Sequence, residues 1–245
     1  MLTLVLLPGL DGTGLLFADF ITALGPGVRT IVASYPTDTP LGYDELEPIA
    51  RSFLPRNEPF YLLAESFSGP LAIAIAASPP PELLGLVLCS SFARNPLPVL
   101  APFRFALGAV PVAALPMALL SFFVLGRFAT PALHAALARS LALVAPAVLR
   151  ARARAALSID RASLLPQIKM PVLYLRATED RIVSEASWKL VRALVPQATA
   201  VRFPAPHFLL QVMPKPAAAA IAEFMGAGLD TEERRAPDPA ETLPR

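Results

Sequence analysis

The sequence predicts an α/β fold, with a mostly parallel sheet of six strands, helices on both faces and one helical insertion. Three observations carry that prediction. Six short apolar runs lack polar alternation, as strands buried on both faces do. Most of the intervals between them are long enough for a crossover helix. One stretch, 93–168, breaks the rhythm: it is rich in Ala, Leu and Pro, helical in pattern, and holds no convincing strand. A chain of 245 residues suits a single domain of this kind.

The elements follow in order. "LTLVLLP" (2–8) reads as the first strand, because it lacks the basic flank and long apolar core of a signal peptide. A glycine-rich loop, "LLPGLDGTG", leads into a helix over 15–25 and a strand over 28–34. A helix over 43–54, the strand "FYLLAE" (60–65), a helix over 68–77 and a strand over 83–90 complete the first part. After the insertion come a strand at 171–177, a helix at 184–195, a strand at 199–204 and a helix at 215–226. The core is therefore expected at 1–92 and 169–226, with 93–168 as a helical lid. The final stretch, 227–245, is charged and proline-rich, and reads as a disordered tail. There is no fixed-period repeat.

Charge is unevenly placed. Residues 1–92 carry three basic and nine acidic side chains, whereas 93–169 carry nine basic and one acidic, within a net charge of +2. The most apolar part is thus the most positive part, which suits an anionic membrane surface or an acidic partner such as a carrier protein. Arg150, Arg152 and Arg154 in "VLRARARAAL" are its most concentrated run, a candidate docking site. From Phe105 to Leu125 there is no charge, a length that formally meets the ~20 residues of a membrane span. Pro111, Pro116 and Gly108 interrupt it, and a span there would separate strands of one sheet. Short lid helices, buried or touching a membrane, are the expectation. The single cysteine, Cys89, excludes an internal disulfide framework, so a cytoplasmic location is expected, with membrane association through the lid.

The candidate chemistry begins at "AESFSG". A nucleophile on a sharp strand-to-helix turn needs small residues two before and two after it, and Ala64 and Ser68 flank Ser66 in that way. Pro70 follows in the first helical turn, where its missing N–H costs little. Ser68 as the nucleophile would place Pro70 where a small, flexible residue is needed. Of two histidines, His134 lies in an alanine-rich helical segment, whereas His207 follows the last strand in a proline-constrained loop. Loops at the C-terminal ends of parallel strands are where such sheets assemble sites. An acid to orient His207 is offered by Glu179 or Asp180 beyond the strand at 171–177; Asp180 is preferred because Val183 can anchor the turn. Asp160 is a weaker rival. Backbone N–H groups of Phe67 and Leu10 are the candidate oxyanion donors, since Gly9, Gly12 and Gly14 let that loop approach a ligand.

Several classes are excluded. No G-x-x-x-x-G-K-[ST] or G-x-G-x-x-G spacing is present, which argues against nucleotide binding. Basic residues without aromatic stacking motifs argue against nucleic acid. Two distant histidines and one cysteine offer no metal site, and no cofactor is expected.

The order Ser66…Asp180…His207, each after a strand, resembles the α/β-hydrolase family over nearly all of residues 1–226. Within it the chain looks most similar to small carboxylesterases of the kind that includes pimeloyl-acyl-carrier-protein methyl esterase. The resemblance implies a compact six-stranded member with its lid inserted before the acid-bearing strand. The chain departs from the family pattern in having Pro8-Gly9 where many members have His-Gly, and no glycine at either elbow position. It implies a serine ester hydrolase acting on a small-molecule or carrier-borne acyl ester, with Phe103, Phe105, Phe122 and Phe123 of the lid lining an apolar acyl site. The alternatives are an acyltransferase or thioesterase with the same three residues, and a non-enzymatic, membrane-associated binding protein of the same fold.

Overall fold

The computed structural model describes residues 2–98 and 117–233, with side chains as far as residue 226. Six strands form one sheet: β1 (Leu2–Leu7), β2 (Val28–Val32), β3 (Phe60–Glu65), β4 (Leu83–Cys89), β5 (Val172–Ala177) and β6 (Ala198–Phe203). Their order is β2-β1-β3-β4-β5-β6, and every pairing is parallel. The chain steps outward from β1 to β2, then crosses back to place β3 on the other side of β1. That reversal opens a crevice between the loops leaving β1 and β3, the position where open α/β sheets hold ligands.

The runs without alternation are explained by two apolar layers. Val5, Leu7, Leu62, Ala64, Leu86, Leu88 and Tyr174 face one of them. It is covered by helices α2 (Tyr43–Ser52), α3 (Gly69–Ala77) and α7 (Glu185–Leu194). Leu4, Leu6, Tyr61, Leu63, Val87, Cys89 and Leu173 face the other. That layer is covered by α1 (Ala18–Leu24), the short α8 (Leu209–Val212) and α9 (Pro214–Glu233). Successive strand residues point to opposite faces, so a strand apolar at every position needs both layers. Helix α9 runs on to Glu233, past the helix end expected at 226; residues from 234 onward lie outside the described residues.

Between β4 and β5 the described residues form three helices, α4 (Met117–Val124), α5 (Pro131–Ala142) and α6 (Pro146–Ala156). Thr130 caps α5 by accepting from the Leu133 N–H at 3.2 Å, with Pro131 in the first turn where no N–H is missed. The base of the segment closes at Arg94 and Asp160, which form an antiparallel bridge flanked by Asn95 N–H to Ile159 O (2.9 Å) and Arg161 N–H to Ala93 O (2.8 Å). Most of the uncharged stretch, with Phe103 and Phe105, lies outside the described residues. Among the described residues no single helix is long and apolar enough to cross a membrane.

Candidate active site

Ser66, Asp180 and His207, 141 residues apart at the extremes, meet at the C-terminal end of the sheet. Ser66 follows β3 directly, with φ +49°, a left-handed conformation that side chains other than glycine rarely adopt. The strained turn lifts its hydroxyl off the strand end. Ser66 Oγ lies 2.7 Å from His207 Nε2, and His207 Nδ1 lies 2.8 Å from Asp180 Oδ2. The other oxygen, Asp180 Oδ1, accepts from the N–H groups of Ile182 (2.8 Å) and Val183 (2.9 Å). Both Asp180 oxygens are engaged, and with Oδ2 as the acceptor Nδ1 carries the proton and Nε2 is free to accept from Ser66.

His207 is only 5% exposed. Burial is the strongest influence on its pKa and lowers it, but the Asp180 charge, the hydrogen bond to Asp180 and Glu65 together raise it above the ordinary imidazole value. Glu179, the rival acid, is half exposed and binds Arg127 at 2.6 Å. The lower pKa of Glu179 comes first from that hydrogen bond. Asp160 belongs to the base of the helical segment, where it bridges to Arg94 and its Oδ1 accepts from the Ala162 N–H at 2.9 Å. His134 lies 2.9 Å from Ser121 Oγ and ties α5 to α4.

The turn is held from three sides. Ser68 Oγ hydrogen-bonds to Pro8 O and lies 2.7 Å from Tyr35 Oη. A hydroxyl has one proton, so Ser68 donates to Pro8 O and accepts from Tyr35. Ser91 Oγ donates to Ser66 O at 2.6 Å, and the Tyr43 hydroxyl donates to Phe67 O at 3.0 Å. The glycine that the turn requires is Gly69, whose Cβ would sit 1.8 Å from Ser91 Oγ and 2.9 Å from Phe92 O. Pro8-Gly9 thus gains support from Ser68.

Glu65, beside Ser66, is the buried acid that sequence reasoning passed over. Its Oε1 accepts from Gln211 Nε2 at 2.9 Å, linking the Ser66 turn to the segment after His207. Burial pushes its pKa up to about 7, with Gln211 and His207 opposing and the nearby Asp11 carboxyl adding to the rise. Its signal was a charged residue inside an otherwise apolar strand run.

One expectation is corrected. Arg152 is not a docking residue: it is 0% exposed, and donates to Leu10 O (3.0 Å), Asp11 O (2.7 Å) and Pro36 O (2.8 Å). The other two arginines of the run differ from it, Arg154 being exposed and Arg150 half-buried. Phe122 and Phe123, expected to line the acyl site, stand on α4 at 54% and 42% exposure. The reason is that α4 turns Ser121 inward, while its C-terminal end is tied to the site loops. Phe208 N–H donates to Val124 O at 3.0 Å, and the Arg181 guanidinium lies 4.0 Å from the centre of the Phe122 ring.

Strand order and loop placement define an α/β-hydrolase fold, and solved structures bear this out. The chain aligns over 92% of its length with 91% of an enol-lactonase from Burkholderia xenovorans LB400, at TM-score 0.78 and 18% identity. It aligns over 94% with 92% of a carboxylesterase from the Thaumarchaeon Nitrososphaera gargenis, at TM-score 0.79 and 14% identity. Among curated proteins, phytyl ester synthase 1, chloroplastic, of Arabidopsis thaliana is 34% identical over 109 residues, 41% of the chain. The match spans 16% of that protein's length. No family model matches the chain. The relatives point to α/β-hydrolases in general and not to pimeloyl-acyl-carrier-protein methyl esterases in particular.

Proposed function

We propose that the protein is a serine carboxylic-ester hydrolase that works through an acyl-enzyme on Ser66. The observation that carries this reading is the continuous hydrogen-bonded line Ser66–His207–Asp180, with Ser66 on a strained turn. In the proposed cycle Ser66 Oγ attacks the ester carbonyl and its proton passes to His207 Nε2. The N–H groups of Leu10 and Phe67 receive the negative oxygen, and among the described residues neither donates to a protein acceptor. The intermediate collapses, the C–O bond to the alcohol breaks, and His207 returns the proton to the leaving alcohol. Water, deprotonated by His207, then attacks the acyl-enzyme, releasing the acid and restoring Ser66. Hydrolysis of p-nitrophenyl esters by the wild type, lost in Ser66→Ala, supports the proposal; hydrolysis retained in that variant sinks it.

Acyl transfer to an alcohol is the second reading, favoured by the partial similarity to an enzyme named as an ester synthase. A rising ester-to-acid product ratio with added long-chain alcohol would select it. For the carrier of the substrate we favour an anionic lipid surface. Leu119, Phe122 and Phe123 are exposed on α4, in a segment rich in basic residues. Binding to phosphatidylglycerol vesicles should weaken with salt and with Phe122→Ser/Phe123→Ser; salt-independent or unchanged binding counts against it.

A further inference from the structure

We infer that Arg152 is a positioning residue for the loop bearing the Leu10 N–H, which makes helix α6 part of the oxyanion-binding apparatus. The inference rests on the ester-hydrolase reading above and assigns a role to a side chain outside the Ser66 line.

Among the described residues, Arg152 is the largest fully buried side chain. Among the described residues its three hydrogen bonds all go to backbone carbonyls, none to a carboxylate. Nη1 bridges Leu10 O and Asp11 O, two successive carbonyls of the loop after β1, while Nη2 reaches Pro36 O beyond β2. A planar guanidinium has several N–H groups in a rigid fork and can hold these three carbonyls at once. A lysine head offers one nitrogen and cannot span them in that geometry. The loop is shaped for this group. Gly12 has φ +70°, and a Cβ there would stand 2.4 Å from Arg152 Nη1. The Tyr35 ring lies beside the guanidinium, 5.6 Å from its centre, and Tyr35 N–H donates to Gly12 O at 2.8 Å.

The consequence falls on Leu10. Pro8 O is fixed by Ser68, and Gly12 N–H is fixed by Gly9 O at 3.0 Å. Between these anchors the Leu10 N–H has no protein acceptor among the described residues, so its direction depends on its neighbours. Arg152 clamps the carbonyls of Leu10 and of the next residue, and thereby the peptide plane that follows the donor. The Leu10 side chain is held from the same quarter, packing with Val144, Val148 and Leu149 at the α5–α6 turn. The entry to α6 is itself pinned, since Ala145 N–H donates to Thr37 O at 2.8 Å. An oxyanion donor works only when aimed before the charge develops, and a misplacement of about 1 Å can cost a hundredfold in rate.

The test is Arg152→Lys, with Arg152→Met beside it, on a soluble p-nitrophenyl ester. Three readouts are needed: kcat and KM; the affinity for a trifluoromethyl ketone, which adds to the serine as an oxyanion; and the affinity for the matching unreactive amide. In folded Arg152→Lys, kcat should fall by about 10- to 100-fold, with KM changed by less than about threefold. Trifluoromethyl ketone binding should weaken in parallel with kcat, while amide binding holds. Unchanged kcat in folded Arg152→Lys overturns the inference. So does equal weakening of ketone and amide, which is what general loosening of the fold would give. Failure of the underlying function looks different: the wild type would then hydrolyse the ester no better than Ser66→Ala does.

Discussion

Asp180 and Glu179 are adjacent carboxylates whose surroundings give them opposite fates. Asp180 is 3% exposed at its side chain, with one oxygen on His207 and the other on two backbone N–H groups. Glu179 reaches outward to Arg127. Asp180→Asn keeps the shape but favours the wrong imidazole tautomer, and should lower kcat by about 10⁴-fold. Glu179→Gln removes an exposed ion pair and should leave the urea unfolding midpoint nearly unchanged, with activity retained. The sequence ranked the two in this order only through Val183, an anchor whose N–H does bind Asp180. Glu65 stood out as a charge in an apolar strand run, but its partner Gln211 is 146 positions away, so their pairing could not be read. Its folded pKa, raised from 4.5 to about 7, means the native state holds a proton that the unfolded chain has released. That contribution to stability is complete below pH 4.5 and is lost as pH rises to about 7. Melting temperatures of wild type and Glu65→Gln should therefore diverge across that window, with the wild type falling more steeply; parallel curves would contradict it.

At the scale of elements, the turn after β3 shows why small residues alone did not reveal its build. Ala64 and Ser68 satisfy the spacing that a strained serine needs, but the close approach falls on Gly69, against Ser91 and Phe92 from the loop after β4. Gly69→Ala should destabilise the protein by about 1–3 kcal/mol in chemical unfolding through overpacking. A loss below about 0.5 kcal/mol would mean that the β4 loop yields freely. Helix α6 teaches a different lesson. Residues 150 and 154 are four apart and share a helix face, whereas 152 points the other way. Counting the three arginines as one patch ignored this direction, although the helical pattern was legible. Spacing alone could have separated Arg152; its carbonyl partners, from loops more than a hundred residues earlier, could not have been read.

For the molecule as a whole, the six apolar runs were sufficient to give the strand count and the two-sided burial, because a parallel sheet imposes that pattern on every strand. The placement of Ser66, Asp180 and His207 after β3, β5 and β6 followed from the same logic, since parallel strands bring their C-terminal ends to one side. The helical segment before β5 was less legible. Its Ala- and Leu-rich helices lack a sharply polar face, so sequence could not say which side chains turn inward, and Phe122 and Phe123 turn outward. On the proposed function, the fold gathers these three loops to activate one serine. The most direct measurement is mass-spectrometric mapping of the adduct formed with a fluorophosphonate probe on the folded protein. Rapid labelling confined to Ser66 and abolished in His207→Ala is expected. Labelling at Ser68, Ser90 or Ser91 instead, or Ser66 labelling that survives loss of His207, would contradict it.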